Sequence, residues 1–143
     1  MASKLLVTVV ALCLMALVSK VWGAPLPRYG TFVYSSLCGD PVGDIDGSSL
    51  TVTRTPKGDR LTYDYSEGAL FGSTIKDLRI RGDRLTATAI PDSGGGEVKL
   101  TAVLDNEEAV LTVEPDHPVA VKPPPEHLRR VWRIPKPIAD CPR

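Results

Sequence analysis

Three carboxylates, Asp40, Asp44 and Asp46, share the stretch Cys38-Gly39-Asp40-Pro41-Val42-Gly43-Asp44-Ile45-Asp46-Gly47. Asp44-Ile45-Asp46-Gly47 loosely resembles the opening of a calcium loop, where alternate carboxylates supply hard oxygen ligands and glycine allows the bend. The closing glutamate is missing and no helical pattern flanks the stretch. The sequence therefore assigns these residues to the turns of an exposed loop, with no metal. His117 and His127 lie among prolines, and Glu114, Asp116 and His117 on an irregular chain do not make a zinc signature. Ser35, Ser36, Ser48, Ser49, Ser66 and Ser73 are the candidate nucleophiles, but none sits in a Gly-x-Ser-x-Gly elbow. Gly94-Gly95-Gly96 follows Pro-Asp-Ser and reads as a hairpin tip, not a phosphate cradle. This inventory points away from an enzyme and requires no cofactor.

Arg81-Gly82-Asp83 spells the tripeptide by which integrins grip many extracellular proteins. The phrase Lys57-Gly58-Asp59-Arg60-Leu61-Thr62 recurs as Arg81-Gly82-Asp83-Arg84-Leu85-Thr86, and the first copy carries Lys in place of Arg. A feature shared by both copies is explained by a shared task, which is turning a hairpin with Gly-Asp and then seating Leu inward and Thr outward. Arg81, Gly82 and Asp83 stay candidate interaction residues because such tips are exposed, as do Asp40, Asp44 and Asp46. A second candidate is the basic cluster Arg129, Arg130 and Arg133, with Lys136 nearby. It suits an acidic partner, and on an edge strand it also deters sheet-to-sheet association.

The 143 residues carry 17 basic and 17 acidic side chains, a balance that exerts no global pull toward nucleic acid or an anionic membrane. Lys4, the apolar run Leu5 to Val18 and the small residues ending at Gly23 form the pattern of an export signal over residues 1–23, cleaved after Gly23. That run is short for a membrane span, so no membrane association is expected after cleavage. Export implies an oxidising compartment. Cys13 leaves with the leader, and the remaining pair, Cys38 and Cys141, is expected to form a disulfide.

The elements that must hold these residues follow a period of two. Phe32 and Tyr34 alternate with Thr31 and Val33; Leu50 and Val52 with Thr51 and Thr53; Leu61, Tyr63 and Tyr65 with Thr62 and Asp64. Leu78 and Ile80, Leu85 to Ala89, Val98 to Leu104, and Leu111 and Val113 continue the pattern. One-faced antiparallel strands are the physical reading. Seven or eight short strands of this kind close a core only as a small meander barrel or a two-sheet sandwich. The fold class is all-β.

Eight of the thirteen prolines lie after Glu114. The expected organisation is a β domain over residues 24–114, a Pro-rich connection over 115–126, and an edge strand with a C-terminal tail over 127–143. In that strand Leu128, Trp132 and Ile134 are expected inward, and Arg129, Val131 and Arg133 outward. The disulfide then staples the tail to the loop that holds Cys38. The function expected is that of a secreted, non-catalytic protein binding an unidentified protein or small ligand. A secreted protease or glycosidase inhibitor acting through an exposed loop is the first alternative. A structural component of an extracellular matrix or coat is the second.

Overall fold

The computed structural model describes residues 26–66, 68–119 and 121–142. The leader expected over residues 1–23 lies outside the described residues. Eleven strands follow in chain order: β1 (Gly30–Ser35), β2 (Cys38–Gly39), β3 (Ile45–Asp46), β4 (Ser48–Thr55), β5 (Gly58–Ser66), β6 (Leu70–Phe71), β7 (Ser73–Arg81), β8 (Arg84–Pro91), β9 (Val98–Leu104), β10 (Glu108–Pro115) and β11 (Glu126–Val131). There is no helix among the described residues.

Nine strands form one antiparallel sheet in the order β6-β5-β4-β1-β11-β10-β9-β8-β7, and β2 pairs with β3 separately. The sheet curls until β7 lies beside β5, leaving a seam without a hydrogen-bonded ladder. The result is a nearly closed meander barrel. Short links between sequential strands make this arrangement, because each strand pairs with its neighbour in the chain wherever a hairpin allows.

Cross-strand partners keep the apolar face on the inside. Tyr34 sits opposite Leu50 and Leu50 opposite Tyr63; Phe32 sits opposite Val52 and Val52 opposite Leu61. Across the other wall Leu85 faces Ala102, Ala102 faces Leu111, and Ala109 stands between Leu104 and Leu128. All of these are buried. Alanines opposite leucines let large side chains interdigitate within a narrow barrel. Each leucine so buried contributes about 1.5–3 kcal/mol. The barrel axis is thus filled by the protein's own side chains.

β7 departs once from strict alternation. Ile75 and Ile80 both pack on the core, yet an odd spacing separates them. A bulge resolves this: Asp77 and Leu78 together oppose Ala87, and Asp77 takes φ 51°. Beyond the bulge Leu78 and Ile80 turn inward, and Arg79 and Arg81 turn outward.

The two Gly-Asp phrases do not do the same job, which corrects the sequence expectation. In the second copy Arg81 pairs with Arg84, so Gly82-Asp83 is the turn, with Gly82 at φ 63°. In the first copy Thr55 pairs with Gly58, so Pro56-Lys57 is the turn and Gly58-Asp59 already belongs to β5. Proline's fixed φ suits the first turn position and draws the reversal upstream. The offset is two residues, which preserves the face. Leu61 and Leu85 are therefore both buried.

The expected edge strand is also corrected. β11 pairs with β10 on one side and with β1 on the other. Its flanking prolines suggest an edge, but none falls within Glu126–Val131, so every amide is free to join a ladder. The strand stops at Val131, and Trp132, expected inward, is 92% exposed. Cys38 and Cys141 form the expected disulfide, with their Cα atoms 4.7 Å apart. Gly39 bridges Asp140 in parallel, the Gly39 amide donates to the Ala139 carbonyl at 2.7 Å, and the Cys141 amide donates to the Gly39 carbonyl at 2.9 Å.

Candidate functional site

The β2–β3 hairpin spans the end of the barrel where β1 finishes and β4 begins. Asp40 organises it. Its Oδ1 accepts from the amides of Val42 and Asp44, each at 2.9 Å, while its own amide donates to the Asp44 carbonyl at 2.9 Å. The Gly43 amide donates back to the Asp40 carbonyl at 3.1 Å, closing a tight turn. Asp46 Oδ1 takes the Gly47 amide at 2.8 Å. These carboxylates serve backbone amides; they do not converge on one point. Among the described residues no group of three or more His, Cys, Asp or Glu is arranged to hold a metal ion.

Below the hairpin lies a polar cluster in which four of the serines named from sequence meet Glu126 and Tyr63, two residues that the sequence did not single out as site candidates. Ser36 Oγ donates to Glu126 Oε1 and accepts from the Ser48 amide at 2.9 Å. The buried Tyr63 phenol stands beside Ser48 and Glu126, and burial pushes it above its usual range. Ser49 Oγ donates to Asp64 at 3.1 Å, and Ser66 Oγ donates to the Ile45 carbonyl, tying β5 to the hairpin. Gly47 is required at the crossing. A Cβ there would stand 2.7 Å from Ser36 Oγ and 2.8 Å from its carbonyl oxygen, and φ is +95°. The signal for Glu126 was parity: residues 126, 128 and 130 share the inward face of β11. Ser36 spends its hydroxyl on Glu126 and Ser48, so the cluster knits three segments and closes the barrel.

Arg81, Gly82 and Asp83 lie at the other end, all exposed. Arg129 and Arg133 are exposed, but Arg130 points inward over the rings of Phe32 and Tyr34. The three arginines therefore do not form one basic edge. His117 is exposed, and His127 Nδ1 lies 3.3 Å from Glu108 Oε2. A cleft of about 610 Å³ opens beside the bulge of β7, lined in part by Asp77, Arg79, Glu97, Lys99 and Glu114. Its charges are of both signs. Lys76 holds Glu97 at 3.1 Å and Lys122 holds Glu114, lowering the Glu114 carboxyl from its ordinary value. The stapled hairpin differs from that cleft in combining rigidity with an exposed apolar tip: Val42 is 83% exposed.

Comparison of the chain with models of known families, with curated proteins and with solved structures returned no match.

Proposed function

We propose that this protein is exported and works without catalysis, binding a protein partner through the loop Asp40 to Asp44. The observation that carries the reading is the lock on that loop. One carboxylate holds the amides of Val42 and Asp44 while the Cys38–Cys141 bridge fastens the base. A contact loop ordered in advance loses little conformational entropy on association, so more of the contact energy remains as affinity. The filled barrel axis favours a surface role over a ligand carried inside. Export is supported by the leader-like pattern at residues 1–23 and by a disulfide, a bond that persists in oxidising compartments.

Inhibition of a secreted hydrolase is the narrower form of this reading. A convex, rigid loop can enter an active-site cleft, and the turn from Asp40 to Gly43 makes it a wedge and not an extended substrate mimic. The test places a photo-cross-linking residue at Val42 and, as control, at Val121, which is 81% exposed. The reading expects an adduct from position 42 alone, competed by excess unlabelled protein and weakened by Asp40→Ala, which frees the turn. The same adducts from both positions would sink it.

A further inference from the structure

We propose that the two hairpins carrying the repeated Gly-Asp-Arg-Leu-Thr phrase form one binding surface for a linear sulfated polysaccharide. The barrel seam is what joins them. β6 pairs with β5 through Tyr65 and Phe71, and β7 continues from β6 after Gly72, so β7 descends beside β5. The β4–β5 and β7–β8 turns are therefore neighbours at the same barrel end. Lys57 and Arg60 come from the first hairpin, and Arg79, Arg81 and Arg84 from the second.

All five are exposed, and none takes part in an ion pair among the described residues. Asp59 is engaged by Arg54 at 3.6 Å, which leaves Asp83 at the second turn and Asp77 at the bulge as the carboxylates beside the five cations. The bulge at Asp77-Leu78 is part of the construction. Without it Arg79 and Arg81 would share the inward phase of Ile75. At the usual strand spacing, five cations on β5, β7, β8 and their turns fall within a band about 15 Å wide. Like charges held so close repel one another, and a polyanion offsets that repulsion.

The neighbouring chemistry selects the class of polyanion. Guanidinium groups take sulfate oxygens bidentately. Outward Thr53, Thr55, Thr62 and Thr86 set hydroxyls beside them, and a cleft of about 500 Å³ on the first hairpin is lined by Thr53, Thr55, Lys57 and Arg60 among others. Single-stranded nucleic acid would call for aromatic stacking platforms, but the aromatic residues on these hairpins, Tyr63 and Tyr65, belong to the core or pack against it. A membrane surface would call for apolar insertion, and none of the exposed large apolar residues lies on either hairpin. The surface is independent of the Asp40–Asp44 loop, at the opposite end of the barrel.

The experiment uses the full processed chain on immobilised heparin, with desulfated heparin, phosphatidylserine vesicles and single-stranded DNA as competitors. Wild type is expected to be retained, with heparin the strongest competitor. Arg60→Ser with Arg84→Ser should weaken binding at least about tenfold and lower the salt slope by on the order of one per contact. Arg129→Ser with Arg133→Ser, on and just after β11 and on neither hairpin, should change nothing. Asp83→Ser should tighten binding, the opposite of what an integrin site would show. Circular dichroism checks that each variant keeps its sheet. Failure of wild type to be retained, equal competition by desulfated heparin, stronger competition by vesicles or DNA, or equal loss in both arginine pairs would overturn the proposal.

Discussion

The guanidinium carbon of Arg130 lies 4.8 Å from the centroid of the Phe32 ring and 5.6 Å from that of Tyr34. β11 sets Glu126, Leu128 and Arg130 on one face, so a single strand brings a carboxylate to one end of the barrel and a cation to the other. Arg130→Ala should lower stability by about 1–2 kcal/mol, because it removes both the ring contact and the packing of the aliphatic stem. Arg130→Lys should recover part of that loss. Arg129→Ala, exposed next door, should cost less than about 0.5 kcal/mol. Urea unfolding followed by circular dichroism measures all three. Equal losses at 129 and 130 would refute the inward placement.

Trp132 and Leu128 invert the usual ranking of apolar residues. Leu128 is fully buried between β1 and β10, so Leu128→Ala should cost about 2–5 kcal/mol. Trp132→Ser removes a larger side chain that is 92% exposed and should fall within about 0.5 kcal/mol of wild type. The same unfolding curves decide it. A large loss at Trp132 would mean that the strand runs on past Val131.

Legibility in the sequence tracked the reach of local rules. Period-two alternation located seven of the eight long strands among the described residues, since a half-buried strand needs nothing else to announce itself, and the run from His127 to Ile134 marked the eighth. The disulfide followed from counting the cysteines outside the expected leader. Alternation could not say where β11 sits, because its second ladder is a long-range pairing with β1, and the prolines around Glu126–Val131 imitate an edge. It also carried Trp132 inward by extending parity past the strand's last paired residue. The short strands β2, β3 and β6 arise from tertiary bonds, such as Ile45 to Gly68 at 3.2 Å, and leave no pattern in sequence. Glu126 was within reach of parity alone. The seam that gathers Lys57, Arg60, Arg79, Arg81 and Arg84 required the bulge and the closure of the sheet.

Removing the disulfide should loosen the tail without opening the barrel. The bridge spans a sequence separation of 103, for which the chain-entropy model gives at most ~4–5 kcal/mol and measured values usually fall below that. β11 is held independently by ladders on both sides. Cys38→Ser with Cys141→Ser should therefore keep the sheet spectrum while limited proteolysis cuts within residues 132–140. Cleavage inside β9 or β10 at the same protease dose would show that the bridge holds the barrel as well.

Gly47 and Gly82 both have positive φ, but their surroundings differ. At Gly82 nothing lies within 4 Å of an added Cβ, so Gly82→Ala should cost only the left-handed backbone penalty, about 1–2 kcal/mol. At Gly47 the same penalty is joined by a clash with the Ser36 backbone at 2.8 Å. Gly47→Ala should cost more than Gly82→Ala and should release the hairpin from the Ser36–Glu126 cluster. Hydrogen exchange at the Ser48 amide, bonded to Ser36 Oγ, reports that release directly. Matching costs at the two glycines would argue against the close crossing.

Alkaline pH should unfold this protein through Tyr34 and Tyr63. Burial raises both phenols above the ordinary 10.0, with Arg130 opposing the rise at Tyr34 and Ser48 opposing it at Tyr63. The native state then keeps its phenolic protons to higher pH than the unfolded chain does. Stability is fully present below 10.0 and is lost as pH rises through the folded values, because the unfolded state gains the free energy of ionisation first. Unfolding free energy measured in urea from pH 8 to 11.5 should stay level with respect to these groups and then fall. Tyr63→Phe should flatten that fall while leaving the Tyr34 share, and Tyr34→Phe should in addition cost the Asp105 carbonyl its 2.6 Å donor at neutral pH. If the alkaline slope is unchanged in the Tyr63→Phe protein, the phenol is not held in the buried position beside Ser48 and Glu126.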